Sequence, residues 1–327
     1  MAPNRFRVLL PKTLVKAGWD IIKQRDDVDA IAYPPSIAAA EFHGLLGDAD
    51  GVALSLTRFA APELKAGPRI KVVARVGVGF DTVDVPVLTA QKIPLMVVGI
   101  ANSPSVAEQA FSLMFALAKR NAQNDAAVRA GSWRDTLTAY PVDFLEKTLL
   151  IVGFGRIGTR TAKRALGFEM RVQVYDPYVP AADIKKAGCE PVGDLDSAVA
   201  QADFISVHCP KNAETTNMFD AKRLARMKPG AYLVNTARGG IVNEAALHDA
   251  LKAGKIAGAG IDVFEKEPAA RDHPLLQLPN VIVAPHLAGV TVESMDRMAV
   301  ATVRNILSVL DGKPIKENAV NPEVFGS

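Results

Sequence analysis

Cysteine is scarce in this sequence. The 327 residues contain only Cys189 and Cys209, too few and too isolated for a disulfide framework or a thiolate metal cage. Both read as small, reduced side chains, and no metal site is expected. Long apolar runs are missing as well. No stretch approaches the roughly 18 to 20 uncharged residues that a membrane span needs, and Met1 to Arg7 leads straight into a strand-like Val8-Leu9-Leu10, without the apolar core of a secretory leader. A cytoplasmic protein is the default expectation. Charge of one sign is also lacking: 38 basic and 35 acidic residues leave a net charge of +3. With no block of like charges, neither nucleic acid nor a membrane is expected as a partner. Aromatic residues make up 6% of the chain, and Trp19 and Trp133 are expected to be core or interface anchors. Against these absences stands a hydrophobic content of 49% with 22% charged residues, ordinary for a globular chain. The length argues for about two domains.

The apolar pattern comes in two series. The first holds Val8-Leu9-Leu10, Val28-Asp29-Ala30-Ile31, Gly51-Val52-Ala53-Leu54, Ile70 to Ala74 and Leu95-Met96-Val97-Val98, separated by helical stretches. Strands alternating with helices predict a parallel α/β sheet. A long apolar helix over about Ser105 to Lys119 follows. The second series runs through Leu149 to Val152, Val172 to Tyr175, Phe204 to Val207, Ala231 to Val234, Gly258 to Ile261 and Val281-Ile282-Val283. Six such strands predict a doubly wound dinucleotide fold. The stretch from Thr291 to about Leu310 reads as an amphipathic helix long enough to return to the first domain.

The sharpest local signal is Gly153-Phe154-Gly155-Arg156-Ile157-Gly158, a GxGxxG after a predicted strand and at the start of a predicted helix. Gly153 makes the tight turn, Gly155 lets the backbone approach a pyrophosphate, and Gly158 lets helix and strand pack closely; the helix start offers unpaired N–H groups to the anion. Asp176 ends the next predicted strand at the spacing, about 20 residues, where a carboxylate meets the adenosine ribose hydroxyls. It would repel the 2′-phosphate of NADP, and Pro177-Tyr178 brings no Arg to hold that phosphate. NAD is the expected cofactor.

Three ionisable groups follow later strands: Arg238 in Asn235-Thr236-Ala237-Arg238-Gly239-Gly240, Glu267 in Asp262-Val263-Phe264-Glu265-Lys266-Glu267-Pro268, and His286 in Ala284-Pro285-His286-Leu287-Ala288-Gly289. Ligands of an open parallel sheet lie beyond the carboxyl ends of its strands. Moving a hydride to or from C2 of a 2-keto or 2-hydroxy acid needs a group that holds and returns a proton, and His286 suits that task. A carboxylate beside it, Glu267, would orient the ring, with Glu265 as the competing choice. Arg238 offers a planar fork for the substrate carboxylate.

Together with GFGRIG, these segments resemble the D-isomer-specific 2-hydroxyacid dehydrogenase family. The resemblance extends over nearly the whole chain, through Arg75 to Asp84, Asn102, Ser105 to Glu108, Gly131-Ser132-Trp133 and His208-Cys209-Pro210. It implies a Rossmann NAD-binding domain at 102–287 inserted into a flavodoxin-like substrate domain formed by 1–101 and 288–327, each a doubly wound parallel sheet. It implies catalysis by Arg238, Glu267 and His286, and substrate carboxylate binding by the backbone of Val76, Gly77, Val78 and Gly79 with Arg238 and His286. Cofactor contacts then fall on Gly153, Gly155, Arg156, Ile157, Gly158, Asp176, Cys209, Thr236, Ala237, Asp262 and Gly289, with Asp262 facing the nicotinamide carboxamide. Glu267 argues against formate as substrate, since the family's formate dehydrogenases carry Gln in that role. A homodimer is expected, with the helix near Ser105 to Lys119 as candidate interface.

The implied activity is NAD-dependent hydride transfer on a small D-2-hydroxy acid or its 2-keto acid. Glyoxylate or hydroxypyruvate ranks ahead of 3-phosphoglycerate, because phosphoglycerate-type members often carry a basic residue where Leu54 stands and the nearest candidate is Arg58. With the sequence ending at Ser327, a regulatory C-terminal domain like that of long phosphoglycerate dehydrogenases is not expected. Val78 stands where relatives often carry Thr, and Gly99 to Pro104 and Leu287 to Thr291 also depart from the family pattern. The competing class is an NADH-sensing, protein-binding regulator of the co-repressor type. His43, His248 and His273 carry no partner pattern and are expected to be exposed, while His208 is expected to pack near the cofactor without titrating.

Overall fold

The structure, a computed structural model, describes residues 5–136 and 139–326; Met1 to Asn4, read above for a leader, lie outside them. By its internal contacts the chain divides into two units. One takes the chain up to Asn102 and again from Val290 onward, and the other runs Ser103–Gly289.

In the first unit β1 (Phe6–Pro11), β2 (Val28–Tyr33), β3 (Gly51–Leu54), β4 (Val72–Arg75) and β5 (Leu95–Met96) form one parallel sheet of order β2-β1-β3-β4-β5. This is the flavodoxin-like order. Side chains alternate across a strand, so consecutive residues of β1 enter different cores. Leu9 packs with Phe42, Val52, Val73 and Leu88 on one face. Val8 and Leu10 pack on the other with Ile22, Ala299, Val303 and Ile306. Both faces are covered because every crossover is helical, which is why β3 and β4 are apolar runs buried throughout, with only Arg75 polar. Helix Val292–Leu310 covers the second face, and Thr291 caps it by accepting a hydrogen bond from Ser294 N at 3.1 Å.

The second unit holds β6 (Thr148–Val152), β7 (Arg171–Tyr175), β8 (Glu190–Pro191), β9 (Phe204–Val207), β10 (Tyr232–Asn235), β11 (Gly258–Ile261) and β12 (Val281–Val283), all parallel, in the order β12-β11-β10-β9-β6-β7-β8. Six strands are legible in the sequence; the seventh, β8, is a two-residue edge strand ending in proline. Proline is tolerated at an edge, but two residues carry no period to read. Helix Ser103–Ala118 buries Ala110, Phe111, Leu113, Met114 and Leu117 against one face, where Phe144 and Phe204 stack T-shaped at 4.9 Å. Helices Leu195–Gln201 and Glu244–Lys252 cover the other face over Leu150, Val152 and Leu233. Each fully buried Leu or Phe contributes roughly 1.5–3 kcal/mol, so these two cores fix the carboxyl edge of the sheet. The strand order reverses between β6 and β9, and at such a reversal ligands enter an open α/β sheet.

Candidate active site

The Gly153 turn leaves β6 at that reversal. Gly153 sits at φ +97°, and a Cβ there would lie 2.5 Å from Cys209 N, so the loop after β9 approaches the turn more closely than any side chain allows. Gly158, which opens helix Gly158–Gly167, lies so close to Gly153 O that a Cβ there would clash with it. Above Gly155 the space is open: a Cβ would meet nothing within 4 Å. The amides of Gly155 and Ile157 have no protein acceptor among the described residues. An open cradle, unsatisfied amides and a helix N-terminus fit a pyrophosphate. Asp176, just past β7, holds the turn from the side: Phe154 N donates to its Oδ2 at 2.7 Å and Tyr178 N to its Oδ1 at 2.9 Å. Cys209 is buried, and burial pushes its thiol up to about 11.

The nicotinamide end shows the same incompleteness. His208 and Thr236 each follow a strand whose last residues are paired, Val207 with Asn235. His208 Nδ1 and Thr236 Oγ1 are both buried without a hydrogen-bond partner. Burial pushes the His208 ring down to about 3, so it is neutral, and its Nε2 lies 2.9 Å from Ser206 Oγ. Orphaned buried polar atoms are rare in folded proteins, and two at the ends of neighbouring strands suit a polar cofactor group.

Arg238, Glu267 and His286 lie beyond β10, β11 and β12, three neighbouring strands of one sheet. Asn235 shapes the first loop: its amide donates to Arg238 O at 2.9 Å and its Oδ1 accepts from Ala237 N at 3.0 Å. Arg238 is half-buried, with Nη1 donating to Ala237 O at 2.8 Å. The next residue must be glycine, because a Cβ on Gly239 would lie 1.9 Å from Phe264 O. The Arg238 loop thus rests on the loop that carries Glu267. There Phe264 N donates to Glu267 Oε1 at 3.0 Å, and His286 Nδ1 lies 2.7 Å from Glu267 Oε2. Glu265 is turned to Glu244 instead, through its backbone N–H.

His286 adopts φ +53°, a left-handed conformation uncommon for a residue with a side chain. Asp262 enforces it. His286 N donates to Asp262 O at 2.8 Å, Leu287 N to Oδ1 at 2.9 Å and Ala288 N to Oδ2 at 3.0 Å. Asp262 is fully buried, and burial raises its pKa against the pull of those amides. Each Asp262 oxygen accepts one amide of the His286 turn, and a carboxylate has further acceptor sites beyond those two. Nε2 of His286 is the free ring position, since the side chain is 48% exposed.

In the first unit, the segment Val76–Gly79 follows β4. The amides of Gly77, Val78 and Gly79 have no protein acceptor among the described residues. Arg75, buried, donates from Nε to Gly79 O at 2.8 Å and from Nη1 to Leu54 O at 3.3 Å. Consecutive free amides over a buried guanidinium make a concavity suited to an anion.

Other expectations change. His43, His248 and His273 are not exposed and unpartnered: their side chains are 32%, 22% and 19% accessible, opposite Glu63, Asp249 and Glu244. His273 Nε2 meets Glu244 Oε2 at 3.0 Å while Glu244 Oε1 takes Glu265 N at 2.5 Å, so this pair braces the Glu267 loop from below. No spacing in the sequence pointed to it, because the partners lie on separate elements. Of the two tryptophans, Trp19 is a core anchor, its Nε1 donating to Leu14 O at 3.1 Å, and Trp133, 65% exposed, lies outside the core. Among the described residues no helix is long and apolar enough to cross a membrane, and no cluster of His, Cys, Asp or Glu could hold a metal ion.

A Rossmann sheet with a glycine turn, a carboxylate just past the next strand and a carboxylate-bound histidine at one edge defines the class of nicotinamide-dinucleotide dehydrogenases. Residues 111–288 match the family model described as the D-isomer specific 2-hydroxyacid dehydrogenase, NAD binding domain. A D-3-phosphoglycerate dehydrogenase of Mycobacterium leprae is 41% identical over 267 residues, 82% of this chain and 50% of that protein, so the chain spans about half the length of that relative. A glyoxylate reductase of Thermofilum pendens is 35% identical, covering 98% of this chain and 96% of its own. The crystal structure of a D-lactate dehydrogenase from Aquifex aeolicus, complexed with NAD and lactic acid, superimposes with a TM-score of 0.83 at 30% identity, over 96% of this chain and 99% of that one. This chain belongs to the D-isomer-specific 2-hydroxyacid dehydrogenase family, and its second unit is an NAD-binding domain.

Proposed function

We propose that the chain is an NAD-dependent oxidoreductase that interconverts a small D-2-hydroxy acid and its 2-keto acid. The observation that carries this reading is the 2.7 Å contact between His286 Nδ1 and Glu267 Oε2 at the carboxyl edge of a dinucleotide fold. Bound NAD would accept or supply the hydride at C2. Glu267, fixed by Phe264 N, holds the imidazole so that its exposed Nε2 can take the proton from the C2 hydroxyl in oxidation and return it in reduction. Arg238 pairs with the substrate carboxylate and draws charge toward the keto oxygen. The amides of Gly77, Val78 and Gly79 are read as donors suited to a carboxylate.

Glyoxylate or hydroxypyruvate ranks ahead of 3-phosphoglycerate. Leu54 is fully buried, and Arg58 lines a cavity of about 330 Å³ together with Asp81 and Asp84. A phosphate there would meet two carboxylates beside its one guanidinium. The chain is read as cytoplasmic, supported by two free buried cysteines, a state uncommon in oxidising compartments. It is read as a homodimer. Helix Ser103–Ala118 spends its apolar face on the sheet, whereas Val128, Trp133, Tyr140 and Leu145 beyond it are 56%, 65%, 79% and 55% exposed. Those four side chains support an interface better than the helix does, and light scattering of Trp133→Asp tests it: the variant is expected to be monomeric.

Steady-state turnover of a panel of 2-keto acids with NADH and with NADPH tests the activity. Oxidation of NADH by glyoxylate or hydroxypyruvate, abolished in His286→Ala with NADH binding retained, is the expected result. No turnover with any acid would leave the NADH-sensing regulator in its place.

A further inference from the structure

Tyr178 is 74% exposed, yet its hydroxyl donates to Glu214 Oε2 at 2.5 Å. This bond joins two segments that are distant in sequence, one leaving β7 at Asp176 and one leaving β9 at His208. In the sheet β6 lies between β7 and β9. The two segments therefore flank the Gly153–Gly158 turn, and the Tyr178–Glu214 bond ties them together at the side where β7 places Asp176.

Two carboxylates, Asp176 and Glu214, flank this corner. Asp176 accepts only from backbone N–H groups, those of Phe154 and Tyr178. Neither Asp176 nor Glu214 has a basic side chain as ion-pair partner among the described residues. The two carboxylates act on one phenol: the Glu214 hydrogen bond and charge, then the more distant Asp176, push the pKa of Tyr178 up. Lys211, the cation nearest in sequence on the β9 segment, forms no ion pair with either carboxylate among the described residues. A Cβ on Gly240 would lie 2.7 Å from Lys211 Nζ and 3.6 Å from Glu265 Cγ, so the ammonium stands beside Gly240 and Glu265.

We propose that Tyr178 and Glu214 are specificity-determining residues of the cofactor site: their hydrogen bond closes the adenosine end, and the Glu214 carboxylate joins Asp176 in rejecting a dinucleotide phosphorylated on its adenosine ribose. The proposal rests on the reading that Asp176 meets that ribose. It assigns separable roles to the two side chains, a tie to the phenol and a charge to the carboxylate.

Two substitutions separate them, and both positions are exposed, so neither threatens the fold. Glu214→Gln keeps a carbonyl acceptor for the phenol but removes the charge. Tyr178→Phe keeps the charge but breaks the tie. Binding of NADH and NADPH is measured by titrating dinucleotide fluorescence at low and at physiological salt. For Glu214→Gln, NADPH is expected to bind about three- to tenfold tighter with NADH within about twofold, and the gain is expected to shrink as salt rises, since charges interacting through solvent are screened over a Debye length of about 10 Å at 0.1 M. For Tyr178→Phe, both dinucleotides are expected to weaken together by about two- to fivefold, leaving their ratio unchanged. Asp176→Ala serves as the reference. If it leaves the NADH to NADPH ratio unchanged, the ribose assignment itself falls. If it shifts the ratio while Glu214→Gln does not at either salt, the charge role of Glu214 is wrong and the ribose assignment stands. Unaltered NADH affinity in Tyr178→Phe would overturn the tie.

Discussion

Replacing Glu267 by Gln tests the acid–base pair with almost no change of shape. In the native site the carboxylate accepts twice, from Phe264 N at 3.0 Å on Oε1 and from the His286 ring on Oε2 at 2.7 Å. A Gln amide has one acceptor and one donor group. If its oxygen takes Phe264 N, its NH₂ faces Nδ1 and requires that nitrogen to be bare, which moves the proton to Nε2 and leaves the imidazolium opposed by a donor. If it turns round, the NH₂ opposes the Phe264 N–H. A hydrogen bond to a charged group is worth roughly 1.5–3 kcal/mol. The side chains of His286 and Glu267 are 48% and 38% exposed, so solvent screening places the loss at the lower end. At 1.36 kcal/mol per factor of ten, about 1.5 kcal/mol predicts a fall in kcat of about tenfold. The KM for NADH should stay within about twofold, since the pair touches no part of the glycine turn. The assay is steady-state reduction of glyoxylate or hydroxypyruvate with saturating NADH. A Gln variant that keeps the native kcat at every pH tested would refute the argument, because it would show that the ring needs no carboxylate partner.

Other expectations follow from the same geometry. Gly239→Ala forces a Cβ to within 1.9 Å of Phe264 O; it should cost about 1–3 kcal/mol of stability and depress kcat, read by thermal melting and turnover, and a variant with native melting and rate would contradict the close packing of the two loops. Asp203 accepts from Thr148 N at 2.8 Å and Lys228 Nζ at 2.9 Å, and although burial opposes them these contacts hold its carboxyl below the ordinary range. Its contribution is present above the unfolded pKa of about 3.9 and is lost as pH falls through the lower folded value, so the stability gap between the native protein and Asp203→Asn, expected at about 1–2 kcal/mol at pH 7, should close in acid denaturation; a gap unchanged down to pH 2 would contradict the pairing. Cys209, pushed up to about 11 by burial, should resist alkylation at pH 8 until the protein is unfolded, and rapid labelling of the native protein, mapped by mass spectrometry, would show the thiol to be open.

Legibility in the sequence followed the range of the interactions involved. The two sheets were readable because both faces of each are covered, which forces nearly continuous apolar strands such as Leu149 to Val152; β8 was not, because an edge strand of two residues needs no such run. The glycine turn was readable because its three glycines answer to contacts made within a single strand–turn–helix unit. Arg238, Glu267 and His286 were each visible as charged groups after predicted strands, yet the pairing of Glu267 rather than Glu265 with the ring depends on a third residue: Glu244, at the start of another helix, takes Glu265 N and leaves Glu267 to turn inward. Asp262 shows the same limit from the other side. The family resemblance implied a contact with cofactor, but nothing in its own segment indicated that both of its oxygens also hold the left-handed turn at His286. A carboxylate marks a strand end as a place for chemistry, but which partner it meets is decided by the turn of the neighbouring loop, and that turn has no signature within its own segment. The proposed proton transfer at this edge then rests on Asp262 as well as on Glu267 and His286: shortening or neutralising Asp262 should release the His286 turn and lower kcat even with Glu267 and His286 intact.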